Sequence, residues 1–305
     1  MNTELLIPLL AAAVVSGTPI LYATLGEIIT EKSGVLNLGV EGAMMVGCFC
    51  AFLTAKMTGN PWLAFVAAGL AGMLTASLHG VVCLIFQGNQ VVSGLALTIF
   101  GAGLANYLGT PSIGLSAPGF APVPIPGLAE IPLLGPVLFN HDPLVYLSYL
   151  APFAVGLFFR YSRFGLGMRS VGEFPAAALA AGLNATAYRW GGILAGGFFM
   201  GLGGAYLSLA YTHLWTNNLS AGRGWIAVAL VIFAFWRPGR AVFGAYLFGG
   251  IMALQLRLQA GGTNLPSSLL LMLPYALTVA VLLFSCWRKG NQGPAALGVN
   301  IEPSS

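Results

Sequence analysis

Residues 61–86 read PWLAFVAAGLAGMLTASLHGVVCLIF, a stretch without one Asp, Glu, Lys or Arg. A helix of about 20 mostly apolar residues is enough to cross the hydrocarbon core of a bilayer. This stretch exceeds that length, and eight others resemble it: 6–28, 34–55, 90–109, 143–160, 187–211, 223–236, 239–259 and 267–287. The stretch 223–236 is short for a full crossing and suits a re-entrant or broken helix. No run alternates with the period of two that barrel strands require, and over such lengths in lipid only helices satisfy every backbone polar group. The expected fold is therefore an all-α integral membrane protein, a polytopic bundle of about nine transmembrane helices (8–10).

Composition agrees with that reading. The chain has 305 residues, 57% hydrophobic and only 7% charged, against about 25% charged in soluble domains. Its 12 Lys and Arg and 8 Asp and Glu are too few to clothe a water-soluble fold of this size. The first apolar run carries Glu4 and lacks a basic leader, so it reads as a first span rather than a cleaved signal. The four cysteines (Cys48, Cys50, Cys83, Cys286) all sit in apolar runs, form no C-x-x-C and share no ligand spacing with His79, His141 or His213; they read as packing residues. No metal site, cofactor or nucleic-acid partner is implied.

Basic residues orient the bundle, because short cytoplasmic loops are enriched in Lys and Arg. Placing Arg160, Arg163, Arg169, Arg189, Arg237, Arg240, Arg288 and Lys289 inside makes the alternation consistent and puts Lys32 inside too. Only Lys56, Arg223 and Arg257 then fall outside, and the N-terminus is expected outside. On this basis residues 1–289 form the transmembrane domain, and the Gly-, Pro- and Ser-containing stretch 290–305 reads as a disordered C-terminal tail. Residues 110–142 contain seven prolines and are expected as an ordered, non-helical external segment. It is either a passive linker or part of a surface for an external partner.

Ionisable groups inside a span cost about 2.5–3.5 kcal/mol each on insertion scales, so they mark cavities or partners. The run from Gly26 to Gly42, GEIITEKSGVLNLGVEG, holds Glu27, Glu31, Lys32, Asn37 and Glu41 between two spans. Its glycines permit a broken helix, with Ser33 as a candidate N-cap for the second one. Asn37 and Glu41 are the expected solute-facing groups. The match of Gly26, Lys32 and Ser33 to a phosphate loop fails, because Glu31 stands where the second Gly belongs. Amides and hydroxyls recur in two further clusters, Gln87–Gly94 with Asn89 and Ser93, and Trp215–Trp225 with Asn217, Asn218, Arg223 and Trp225. Such groups beside indole rings suit either a polar solute or an interfacial belt. No paired carboxylates at one depth, His-Asp cluster or Ser/Lys set is evident, so catalysis is not expected. Gly192 with Gly196, and Gly197 with Gly201 and Ala205, form four-residue stripes that let helices approach closely.

The loop 162–184, SRFGLGMRSVGEFPAAALAAGLN, is basic at its start and carries Pro175, an Ala-rich run and Gly182. Pro at a first turn and Gly after the last spell a short helix with a start and a stop. Its small-sided surface lacks the basic and bulky faces of a lipid-binding helix, which leaves a groove on another protein.

These segments, together with GGAYLSL (203–209) and AGRGWIAVALVIFAFWRPGRAVFGAYLFG (221–249), resemble the permeases of bacterial ABC importers. More narrowly, they resemble the branched-chain amino acid/ribose permease superfamily, in the subgroup that serves nucleoside uptake with basic-membrane-protein-type binding lipoproteins. The resemblance implies that 170–184 is a short cytoplasmic coupling helix docking on an ATPase, with Arg169, Gly172, Glu173, Pro175, Ala177, Ala181 and Gly182 on the motif. Phe174 and Ala176 depart from the Asn and charged residue common in that subgroup. It also implies ABC ATPase subunits, a second paralogous permease and an extracytoplasmic substrate-binding protein in a bacterial inner membrane. The expected function is alternating-access import of a small polar solute, nucleoside first and simple sugar second, with ATP hydrolysed by a separate subunit. A self-sufficient ion-coupled carrier using Glu41 is the alternative.

Overall fold

The computed structural model describes residues 3–261, 266–287 and 293–300. By length and composition, seven helices among them can cross a membrane: Leu6–Lys32, Val40–Thr58, Pro61–Ile85, Gln90–Ser112, Pro143–Tyr161, Ala185–Tyr211 and Pro238–Ala260. Two shorter apolar helices accompany them, Arg223–Phe233 and Leu269–Val281. Seven helices of crossing length among the described residues are fewer than the about nine spans expected, and 223–236 is short as read.

In chain order the long elements are α1 (Thr3–Lys32), α2 (Val40–Thr58), α3 (Pro61–Gly80) and α4 (Gln90–Gly109). A π-turn at Val81–Ile85 extends α3. Then come α5 (Leu134–Leu138), α6 (Pro143–Tyr161), α7 (Arg163–Glu173), α8 (Pro175–Ala180) and α9 (Ala185–Tyr206), the last extended by a π-turn at Leu207–Tyr211. The chain continues with α10 (Arg223–Phe233), α11 (Pro238–Ala260) and α12 (Ser267–Trp287).

Short polar side chains start these helices. The Asn60 side chain accepts the Trp62 and Leu63 amides ahead of Pro61, and Asp142 accepts those of Leu144 and Val145 ahead of Pro143. Ser162, Asn184 and Asn89 cap α7, α9 and α4 in the same way. Each satisfies amides that have no partner within the helix. Ser33 differs from expectation: its hydroxyl donates to Thr30 O at 2.6 Å and closes α1, while α2 begins seven residues later behind Gly39.

α9 is the central post, packed against α1, α2 and α3, with α11 on the outer side of α1 and α4 on α2. Small residues make that post possible. A Cβ on Gly201 would run into the Ala68 carbonyl of α3, and Gly47 of α2 faces the same spot. Close helix contact of this kind replaces the hydrophobic drive that lipid removes. Gly201→Val is expected to cost about 1–3 kcal/mol by overpacking, read as a lowered melting temperature in detergent, whereas Gly103→Ala, where a Cβ meets nothing, leaves it unchanged.

The proline-rich segment is ordered but not wholly non-helical, since it contains the one-turn helix α5 and a two-residue antiparallel pair, β1 (Val123–Pro124) with β2 (Asn140–His141). It is laced to the chain after α9: Phe120 N donates to Leu209 O, Ala117 N to His213 O and Gly114 N to Trp215 O, at 2.8–3.1 Å. Trp215 is fully buried against Phe49 and Phe52, so it pins this ledge rather than facing solute. Lys32, Arg169, Glu173 and Arg237 gather at the opposite, basic end of the bundle.

Candidate functional site

Two breaks in the helix array meet inside the bundle. The first is the turn 33–39 between α1 and α2; the second is the irregular stretch 212–222 before α10. Glu41 joins them. Its Oε1 accepts the Ser220 hydroxyl at 2.5 Å and the Gly222 amide at 2.9 Å, and its Oε2 accepts the Gly224 amide at 2.6 Å. A carboxylate is thus seated on the N-terminus of α10, where unpaired amides and the helix dipole favour negative charge. Glu41 is 9% exposed, and it serves as a cap delivered from another helix.

Arg223 lies beside it. Its Nη1 donates to Ser220 O at 3.1 Å, its guanidinium sits 5.2 Å from the centre of the Tyr211 ring, and its buried Nε has no partner among the described residues. Asn37 is fully buried one step down the first break: its backbone N–H donates to Glu27 Oε1 at 3.2 Å and its Oδ1 accepts the Gly39 amide at 2.8 Å. Glu27 and Glu31 stand one turn apart on the inner side of α1, and Glu31 accepts the Trp236 indole N–H. Paired carboxylates absent from the sequence reading therefore exist here, brought together by helical spacing.

The other expected pathway residues lie apart. Ser93 Oγ is 3.0 Å from His79 Nδ1, and His79 Nε2 is 3.0 Å from Leu36 O. Ser93 and Asn89 line a largely apolar cavity of about 490 Å³ with His79, Val82 and Phe100. Asn89 also caps α4. Asn218 exchanges two hydrogen bonds with Asn106 near the far end of α4, at 2.8 and 3.0 Å, while Asn217 is exposed and Trp225 is 37% exposed. Glu41, Arg223 and Asn37 are thus grouped, and Asn89–Ser93 and Asn217–Asn218 form two separate places. Sequence reasoning missed Ser220, His79, Asn106 and Trp236; a Ser-x-Gly-x-Gly run before an apolar helix was the available signal for the first.

At the basic end, α7 and α8 form a hairpin. α8 starts with Pro175 and stops before Gly182, which has φ +80°. Ala178 is buried against Val171 and Ala185, whereas Phe174, Ala176, Ala177, Leu179, Ala180 and Ala181 are exposed. Arg169 and Glu173 are exposed on α7, and Gly172 is buried against the Lys32 carbonyl.

The described residues thus combine an interior of broken helices with a short helix, α8, whose small side chains are mostly exposed at the basic end. Residues 9–282 match the family model described as "Branched-chain amino acid transport system / permease component". The chain belongs to this permease family. A nucleoside ABC transporter permease of Lactococcus lactis, NupC, is 33% identical over 96% of both chains, and a guanosine ABC transporter permease of Bacillus subtilis, NupQ, is 32% identical over 92% of both. A protein of Haloferax volcanii provisionally assigned as a glucose ABC transporter permease, TsgC13, is 44% identical over 83% of this chain and 78% of its own. No solved structure matches the chain. The protein is thus an ABC transporter permease, a multi-pass plasma-membrane subunit that works with a substrate-binding protein and leaves ATP hydrolysis to a separate ATPase.

Proposed function

We propose that this permease imports nucleosides by alternating access, coupled through α8 to its ATPase. The observation that carries the coupling is the hairpin at the basic end. α8 is held to the bundle through Ala178, and Ala176, Ala177, Ala180 and Ala181 are exposed. A helix of that kind fits a groove in a partner and transmits a push through a single anchor. Arg169, Gly172, Glu173, Pro175, Ala177, Ala181 and Gly182 make up the docking face and its hinges. The basic end faces the cytoplasm, and nine crossings follow when 212–233 and α12 each count as one. A second, paralogous permease completes the pair across the pathway, which Asn37, Glu41, Asn89, Ser93, Asn217, Asn218, Arg223 and Trp225 border.

Nucleoside is the leading substrate because two relatives named for nucleoside and guanosine transport align over nearly their whole length. Simple sugar is the second reading, favoured by the higher identity to the relative assigned to glucose. An ion-coupled carrier would need Glu41 free to bind a cation, and its three hydrogen bonds weigh against that role. In cells carrying the whole transporter, unlabelled nucleosides are expected to suppress uptake of a labelled nucleoside at concentrations where glucose and ribose do not. ATP-dependent uptake of labelled glucose with none of labelled nucleoside would overturn the assignment in favour of sugar.

A further inference from the structure

The stretch Gly293–Asn300, GPAALGVN, lies within the stretch read as a disordered end, whose residues 290–292 and 301–305 fall outside the described residues. It crosses the basic end of the bundle and touches four separate parts of it. On α7, the Ala295 amide donates to Glu173 Oε2 at 3.3 Å and the Ala296 amide to Gly172 O at 2.9 Å. In the α1–α2 break, Gly34 O accepts the Gly298 amide at 3.2 Å. From α9, Arg189 Nη1 donates to Val299 O at 2.7 Å. In the α3–α4 turn, Asn300 Nδ2 donates to Gln87 O at 2.7 Å, and its Oδ1 accepts Gln90 Nε2 at 3.0 Å.

Two features separate this from a tail resting on a surface. Gln90 is shared: its Oε1 accepts the Leu36 amide at 2.8 Å while its Nε2 holds Asn300, so the segment, the α1–α2 break and the α3–α4 turn are one network. Arg189 is 1% exposed, and its Nε and Nη2 have no partner among the described residues. A buried guanidinium requires an acceptor, and the carbonyl of Val299 supplies one. Turns closed by Leu297 N to Pro294 O and Val299 N to Ala296 O, with Gly298 at φ +77°, keep the stretch compact between its anchors.

We propose that residues 293–300, held by Arg189, are a strap that positions the α7–α8 hairpin against the α1–α2 break and the α3–α4 turn and carries its displacement to them. The proposal rests on the reading of α8 as the ATPase-docking helix. Movement of α8 shifts Gly172 and Glu173; the strap is bonded to both and, at its other end, to Gly34, Gln87 and Gln90. Arg189 and Asn300 are positioning residues, and neither is required to touch solute.

The test uses the whole transporter, permease with its ATPases and binding protein, in proteoliposomes. The readout is ATP hydrolysed per nucleoside imported. Asn300→Ala is expected to raise that ratio several-fold and deletion of 293–305 at least tenfold, with ATPase co-purification unchanged. A segment that only packs would lower the yield or melting temperature and leave the ratio of the surviving protein at the wild-type value, which would overturn the proposal. So would loss of ATPase co-purification on deletion, which would make the tail part of the docking face. If the deleted protein does not accumulate, Asn300→Ala decides alone. Should Ala177→Trp leave uptake intact, the docking reading of α8 fails and the strap with it. Should Ala177→Trp uncouple while both tail variants keep the wild-type ratio, the strap alone fails.

Discussion

Ala177→Trp is expected to reduce coupled uptake at least tenfold while the permease still folds and reaches the membrane. Ala177 is exposed on α8, and the neighbouring Ala178 carries the contact with Val171 and Ala185. An indole at 177 therefore starts from an exposed position and projects away from the Ala178 contact, into whatever groove receives the helix. Surface substitutions away from packing are usually within about 0.5 kcal/mol in stability, so the melting temperature is expected to stay at the wild-type value. The tenfold loss corresponds to about 1.4 kcal/mol of weakened docking. Ala177→Ser, which adds only a hydroxyl, serves as the control and keeps transport. Glu173→Lys is the less selective probe, because Glu173 also accepts the Ala295 amide and its loss disturbs two contacts together. Normal uptake by Ala177→Trp in assembled transporter would sink the docking role of α8.

The helix array was legible because its signals are local. Apolar length marked all seven helices of crossing length, and the shortness of 223–236 anticipated the 11-residue α10. Pro175 and Gly182 bounded α8 for the same reason, since a fixed φ and a positive φ act within one turn. The interior resisted reading because it depends on pairings far apart in sequence. Glu41 and Gly224 are separated by 183 positions, and no local pattern says that one caps the other. Asn106 and Asn218 meet across 112 positions, each looking alone like an interfacial amide. Glu27 and Glu31 were close enough to be seen, four residues apart on one helix. Composition likewise marked the tail as polar and weakly apolar, yet backbone amides of Ala296 and Gly298 bond to carbonyls of two distant glycines, and composition carries no trace of such bonds.

Glu41→Ala is expected to be the most damaging single change in the interior. It removes the acceptor of the Ser220 hydroxyl and of the Gly222 and Gly224 amides in one step. Each donor stranded in a buried site costs about 1–3 kcal/mol, so the loss is on the order of 3 kcal/mol or more. Water entering the vacated space would soften it. Arg223, which lies at the same helix start, would also lose the nearby carboxylate, and the junction of α2 with α10 would loosen. Uptake is expected to vanish together with a marked fall in melting temperature. Glu41→Gln sharpens the reading. One amide oxygen can still accept from Ser220 and Gly222, but the –NH2 group then confronts the Gly224 amide, donor against donor. A structural cap therefore predicts a graded series, with Gln intermediate between wild type and Ala in both melting temperature and uptake. A cation-binding carboxylate predicts a different pattern, in which Gln abolishes uptake and leaves the melting temperature untouched. A wild-type melting temperature in Glu41→Ala would refute the cap and make Glu41 a free charge on the solute pathway.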